Sequence, residues 1–201
     1  GASEFALGPV LYSLLLCRRA DAALDLGTGH GYSAMAMALA MKDMTERQFP
    51  ARDQHKTMHP TTNYPLFESP KSRRVKTIDL YDHPLATDAF DRYGLRTYIE
   101  EYRGDCLDPD VINRFATQHY DLIQFDATKT WDEVLAYLPL VKLGGYAVFH
   151  DYYGGPPGMA NGAHCDRLDQ LACVEGMVFD TGYMSFKVYR VKSLIQHEVL
   201  V

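Results

Sequence analysis

At the end of a short apolar run, Ala22 to Asp25, the chain places Gly27, Gly29 and Gly31 at alternate positions, and a helical pattern begins at Tyr32. Glycines in a strand-to-helix turn let the backbone approach a ligand closely while the first helical amides point at it. A dinucleotide fold would space them GxGxxG, with a pyrophosphate on those amides. Here the spacing is GxGxG, with Asp25 two residues before it. An acid at that point repels a pyrophosphate and suits a cationic amine, which moves the expected ligand from NAD to a nucleoside that bears an amino acid.

From Ala22 onward, β-type runs alternate with helical stretches, the pattern of parallel strands joined by helical crossovers. Strands are expected at Ala22 to Asp25, Val75 to Asp79, Thr97 to Tyr102, Asp121 to Asp126, Tyr146 to His150, Val174 to Asp180 and Ser185 to Val191. Helices are expected at Tyr32 to Asp43, Pro84 to Tyr93, Pro109 to His119, Thr130 to Val141 and His164 to Ala172, with one more from the apolar run Phe5 to Cys17. The last two strands meet across Asp180-Thr181-Gly182, too short for a crossover, and so form an antiparallel pair. The fold class is therefore α/β, a seven-stranded, mostly parallel sheet with a reversed last strand and helices on both faces. At 201 residues this is a single domain, 1–201, interrupted by an insertion at about 44–74 that holds Pro50, Pro60, Pro65 and Pro70. A loop that long is either a surface insertion or a lid.

Twenty Lys plus Arg against 26 Asp plus Glu leave a net charge of −6, so the counterion release that drives nucleic-acid binding has no evident source. The run Phe5 to Cys17 is broken by Gly8-Pro9 and is shorter than the roughly 20 residues that span a bilayer, so no membrane partner is expected. Cys17, Cys106, Cys165 and Cys173 form no CxxC pair, which fits a reducing, cytoplasmic setting.

The segment Asp25-Leu26-Gly27-Thr28-Gly29-His30-Gly31 resembles motif I of the class I S-adenosylmethionine-dependent methyltransferases. That resemblance implies a Rossmann-like sheet and a cofactor site at Asp25, Gly27, Thr28, Gly29 and Gly31. It implies further that Asp79, closing the second strand, receives the ribose hydroxyls, and that Asp105 and Cys106, after the third strand, meet the adenine. All three acids stand at strand C-termini, the edge where such sheets bind ligands.

Asp126 and Asp151 each close a strand, and adjacent strands bring them to one rim. Two crowded carboxylates either share a proton at raised pKa or hold a hard divalent cation such as Mg²⁺. The stretch Asp126-Ala127-Thr128-Lys129 resembles the D-A-x-K of the cation-dependent O-methyltransferases of the catechol and caffeoyl-CoA type, and Asp151 matches the acid of their later D-N, where this chain has Tyr152. His150-Asp151-Tyr152 is similar to the same point in the macrolide-sugar O-methyltransferases. The resemblance implies methylation of a small-molecule hydroxyl, with Asp126, Asp151 and Tyr152 at a Mg²⁺ ion. Lys129, neutral beside the cation, is the expected base and His150 the alternative, with Asp126 at both metal and cofactor. Relatives of this kind are often dimers, and the apolar N-terminal helix offers a surface for that. The competing reading is a cofactor-binding or interaction module of the same fold that has lost methyl transfer.

Overall fold

The computed structural model describes residues 2–58, 72–152, 161–180, 185–193 and 195. Helix α1 (Ala2–Arg18) leads into strand β1 (Ala22–Leu26), the glycine turn and helix α2 (Tyr32–Met58). There follow β2 (Arg74–Asp79), α3 (Pro84–Arg92), β3 (Ile99–Arg103), α4 (Pro109–Phe115), β4 (Tyr120–Phe125), α5 (Trp131–Tyr137), β5 (Val141–Phe149), α6 (Gly162–Leu168), β6 (Val174–Asp180) and β7 (Ser185–Val191). The sheet order is β3-β2-β1-β4-β5-β7-β6. Strands β1 to β5 pair in parallel, and β7 runs antiparallel to both β5 and β6. The order turns back between β1 and β4, which opens a crevice at their C-terminal ends.

Two apolar layers hold the sheet. On one face Leu7, Leu11 and Leu15 of α1, Met37 and Met41 of α2 and Phe90 of α3 pack on Ala23, Val75, Leu122 and Val148. On the other, Val111 and Phe115 of α4, Val134 and Tyr137 of α5 and Leu168 of α6 cover Leu24, Leu26, Ile123 and Phe149. Each buried Leu, Ile, Val, Met or Phe side chain among them contributes about 1.5–3 kcal/mol by leaving water. Gly8 lets α1 pass close to α2, since a Cβ there would lie 2.9 Å from Cε1 of Tyr32. At the N-terminal edge the buried Asp121 accepts from the amides of Asp21 at 2.9 Å and Ala22 at 3.2 Å and pairs with Lys142 at 2.8 Å, which ties the starts of β1, β4 and β5 together.

The expected fold class holds, but several elements have other bounds: α4, α5 and α6 end at Phe115, Tyr137 and Leu168 and not at His119, Val141 and Ala172. Helix α2 does not stop at Asp43 but runs to Met58, because residues 42–58 contain no glycine and are rich in helix formers that outweigh Pro50. Of the rest of the expected insertion, 59–71 lies outside the described residues and Arg74 already belongs to β2; 181 and 182 of the hairpin turn also lie outside the described residues. Strand β5 begins at Val141, not Tyr146: Gly144, at φ 74°, and Gly145 form a bulge opposite Asp121 and leave pairing on both sides of it. Strand β3 begins at Ile99, because Arg96–Tyr98 forms a 3₁₀ turn. Among the described residues no helix is long and apolar enough to cross a membrane.

Candidate active site

The turn after β1 is shaped by its neighbours. Gly27, at φ 96°, lies under the end of β4, where a Cβ would meet the Asp126 carbonyl oxygen at 2.8 Å. Gly31, at φ 79°, admits α3, since a Cβ would stand 2.7 Å from Phe90. Gly29, at φ 47°, has nothing within 4 Å on that side, so the middle of the turn faces open space. Thr28 turns inward and shares a 2.5 Å hydrogen bond with Thr77 of β2. Its side chain therefore fastens the turn to the sheet, a role the expected cofactor contact did not include.

Asp25 is fully buried. Its Oδ2 accepts from the Ser33 hydroxyl at 2.8 Å, and its Oδ1 has no hydrogen-bond partner. Burial, aided by the charges of Asp126 and Asp79 and opposed by Ser33, pushes the carboxyl up to about 7. Asp79 behaves in the opposite way. Burial alone would raise it, but the amides of Gly29 and Tyr81, both at 3.0 Å, and the His83 imidazole at 3.1 Å hold it below the usual carboxylate range. Asp79, Tyr81, His83 and Thr28 line a cleft of about 500 Å³ that extends to Arg103 of β3.

The expected adenine residues sit beside this cleft, linked to it through Gly104, whose amide donates to the Asp79 carbonyl at 2.9 Å. Asp105 is exposed and accepts from the Leu107 amide at 2.9 Å. Cys106 is buried, and burial pushes its thiol up to about 12. Only its backbone is placed to act, and its carbonyl already accepts from the Tyr137 hydroxyl at 2.7 Å.

At the ends of β4 and β5 four charged groups converge. The Lys129 ammonium lies 3.1 Å from Asp126 Oδ1 and pairs with Asp151 Oδ2. Nδ1 of the buried His150 faces the same two carboxylates, Asp126 at 3.3 Å and Asp151 at 3.4 Å, while its Nε2 is buried without a partner. Burial favours the neutral form of both bases, yet the two carboxylates outweigh it in each case. Lys129 is raised above its ordinary value, and His150 is raised to about 9. Asp151 is depressed to about 2, as His150 and Lys129 outweigh its own burial. The Lys129 amine, expected to be neutral beside a cation, sits here between two carboxylates that favour its charged form.

Tyr152 does not join the cluster. Its hydroxyl donates to Asp166 of α6 at 3.4 Å and its ring lies 4.8 Å from the Lys187 ammonium, so the expected phenol ligand is turned elsewhere. Residues 153–160, which follow Tyr152, lie outside the described residues.

Two residues without an expected role hold this rim in shape. Glu133, buried in the first turn of α5, accepts from the amides of Thr128 at 2.8 Å and Lys129 at 2.9 Å and from the Thr128 hydroxyl at 2.6 Å. A signal for it is present in the sequence, since Thr130-x-x-Glu133 has the spacing of a capping box, and Thr130 does cap α5. Asn161, ahead of α6, donates from its side chain to the carbonyls of His150 at 2.7 Å and Phe125 at 3.3 Å, bridging β4 and β5. Nothing local in the sequence points to that contact.

Residues 24–152 match the family described as a methyltransferase domain. No curated protein matches the chain. Among solved structures it is similar to the O-methyltransferase TomG from Streptomyces achromogenes, involved in tomaymycin synthesis and in complex with SAM, at 20% identity and a TM-score of 0.67, over 92% of this chain and 79% of that one. It is similar to an O-methyltransferase from Bacillus cereus in complex with SAH, at 19% identity and a TM-score of 0.67, over 92% of this chain and 80% of that one. It also resembles the SAH-bound methyltransferase PaMTH1 from Podospora anserina, at 15% identity and a TM-score of 0.64, over 92% and 78%. At these identities the likeness is one of fold.

Proposed function

This chain belongs to the family of methyltransferase domains, and from that premise we propose that it transfers the methyl group of S-adenosylmethionine to a hydroxyl of a small molecule. The observation that carries the reading is the close seating of the glycine turn under the Asp126 backbone, which sets a cofactor cradle against a cluster of proton-handling groups. The structural neighbours, among them O-methyltransferases with SAM or SAH, support the same chemistry.

The residues fit the cofactor. Gly29 leaves open space at the middle of the turn, the unpartnered Oδ1 of Asp25 suits an amine, and Asp79 keeps lone pairs for ribose hydroxyls beside the 500 Å³ cleft. Bound there, S-adenosylmethionine supplies an electrophilic methyl on a sulfonium. What the chain must supply is a place for the acceptor oxygen and a destination for its proton. His150 is the group suited to the proton. In its neutral form the imidazole takes the proton from the hydroxyl, and Asp126 and Asp151, which its Nδ1 faces, stabilise the imidazolium that results. The oxygen–carbon bond forms as the sulfur–carbon bond breaks, and the products are an ether, a neutral thioether and the protonated imidazole.

A divalent cation fits less well. Three donor residues, Asp126, His150 and Asp151, come within 4.8 Å of one another, but the space between the carboxylates is taken by Lys129, and Tyr152 is engaged with Asp166.

Calorimetric titration with S-adenosylhomocysteine, with NAD as the control ligand, tests the cofactor. Micromolar binding of the first and none of the second is expected, followed by turnover with phenols or sugar hydroxyls as acceptors. Binding without turnover on any hydroxyl would favour an interaction module, and no binding would remove the methyltransferase reading altogether.

A further inference from the structure

Resting on the methyltransferase reading, we propose that the Lys129 ammonium is the resident cation of the Asp126–Asp151 pair, standing where a divalent ion would stand and holding the acceptor oxygen in its place. A Mg²⁺ ion bound to Oδ1 of Asp126 and Oδ2 of Asp151 would need to lie roughly 2.0–2.1 Å from each oxygen. The ammonium already bridges those same two atoms. Ion and ammonium exclude each other.

The backbone is arranged to deliver Lys129 to that point. Lys129 has φ 54°, a left-handed conformation that a side chain with a Cβ adopts only when its surroundings impose it. Glu133 fixes its amide at 2.9 Å, and Nε2 of His164 fixes its carbonyl at 2.9 Å. Two helices, α5 and α6, thus grip the peptide on both sides. Its partner is held in the same way: Asp151 has φ 53°, and its carbonyl accepts from the Asn161 amide at 3.0 Å. Strained backbone on both halves of one ion pair, each anchored from another element, marks a built site.

Among the described residues, His150 stands with the two carboxylates as a donor, but its neighbours at the rim are engaged elsewhere. The Tyr152 hydroxyl goes to Asp166, and the Asn161 amide nitrogen goes to two carbonyls. An ammonium has three N–H donors, of which the carboxylates use two. The third is free for a hydroxyl oxygen that gains negative charge as its proton leaves for His150. One cation can therefore both neutralise the carboxylate pair and orient the acceptor, with no second ion.

Titration with Mn²⁺ alone, followed by electron paramagnetic resonance, separates the two possibilities. It is run on the wild-type chain, on Lys129→Met, on Lys129→Gln as a second variant should the first not fold, and on Lys129→Met/Asp126→Asn. Each is titrated in parallel with S-adenosylhomocysteine. Removing the ammonium should raise Mn²⁺ affinity by at least about tenfold over wild type, and the added Asp126→Asn change should abolish the gain. Lys129→Arg should stay as metal-poor as wild type. Wild-type binding of Mn²⁺ as tight as in the folded Lys129→Met or Lys129→Gln variant would overturn the proposal, and so would a folded variant that gains nothing. Failure of every chain to bind S-adenosylhomocysteine would count against the cofactor reading alone, since the Mn²⁺ comparison is read independently of it.

Discussion

Asp25 keeps a carboxyl that the folded chain holds more easily as the neutral acid. Its value of about 7 against the ordinary 3.8 means that, between those two pH values, the unfolded chain has released a proton that the folded chain retains. The cost to stability is absent below about 4, grows through that interval and is complete above 7. Asp25→Asn should therefore stabilise the protein by roughly 2–4 kcal/mol at pH 8, since each tenfold gain in proton affinity on folding corresponds to about 1.4 kcal/mol, with the effect fading toward pH 4. Urea unfolding at both ends of that range measures it, and an unchanged or lowered midpoint at pH 8 would contradict the account. The same change should weaken S-adenosylhomocysteine binding by about 10- to 100-fold, because the site loses its charge toward the amine. His150 yields a second expectation with its own sign. Raised to about 9, it is protonated at neutral pH, so kcat/KM should climb with pH toward an inflection near 9 and lose that inflection in His150→Gln. A flat profile across that range would exclude His150 as the base.

The acid–glycine pattern was legible from sequence because everything it requires is local: an acid, three glycines and a strand turning into a helix. Glycines that look alike in the pattern nevertheless have different reasons. Gly31→Ala would place a Cβ 2.7 Å from Phe90 at a positive φ and should cost about 2–4 kcal/mol of stability. Gly29→Ala meets only open space and should cost about 1–2 kcal/mol, while losing cofactor affinity. Thermal unfolding paired with ligand titration distinguishes them; equal losses of stability would show that packing does not set the difference. What the sequence left unread depends on contacts between distant elements. The direction of Tyr152 is set by Asp166, and the charge of Lys129 by Asp151, 22 residues away. The length of α2 and the early start of β5 are not legible locally, since Pro50 and Gly144-Gly145 are residues that break regular structure. Helix formers on both sides of Pro50 carry α2 through, and pairing with β4 on both sides of the bulge carries β5 through. Glu133 lies between these cases, since the capping spacing was visible but its reach to Lys129 was not. Glu133→Ala should free the Thr128–Lys129 backbone and lower turnover by about 100-fold, the usual loss when a reacting group is displaced by about 1 Å, with S-adenosylhomocysteine affinity little changed. Equal loss in both measurements would place Glu133 in the cofactor site instead.

Among the described residues the two apolar layers lie on opposite faces of the sheet, and the proposed site lies across its C-terminal edge, where both are represented. The glycine turn continues into α2 on one face, while Glu133 and Asn161 bring α5 and α6 to the rim from the other. A ligand bound there touches elements from both layers and binds only when all of them are in place, so its binding energy adds to the stability of the whole sheet and not to one loop. At about 100 times its Kd such a ligand contributes about 2.7 kcal/mol. A chain of 201 residues shifts its Tm by about 2–4 °C per kcal/mol, so S-adenosylhomocysteine should raise Tm by about 5–10 °C, in one transition. NAD should give no shift, and Asp79→Asn should remove most of it by weakening the hold on the ribose. The same experiment in chelator reports on Lys129. If the ammonium is the resident cation, the rise in Tm is the same with and without EDTA, because no ion is lost from the rim. A rise that occurs only with Mg²⁺ present would mean that an ion completes the edge, and that Lys129 gives way to it when the cofactor binds.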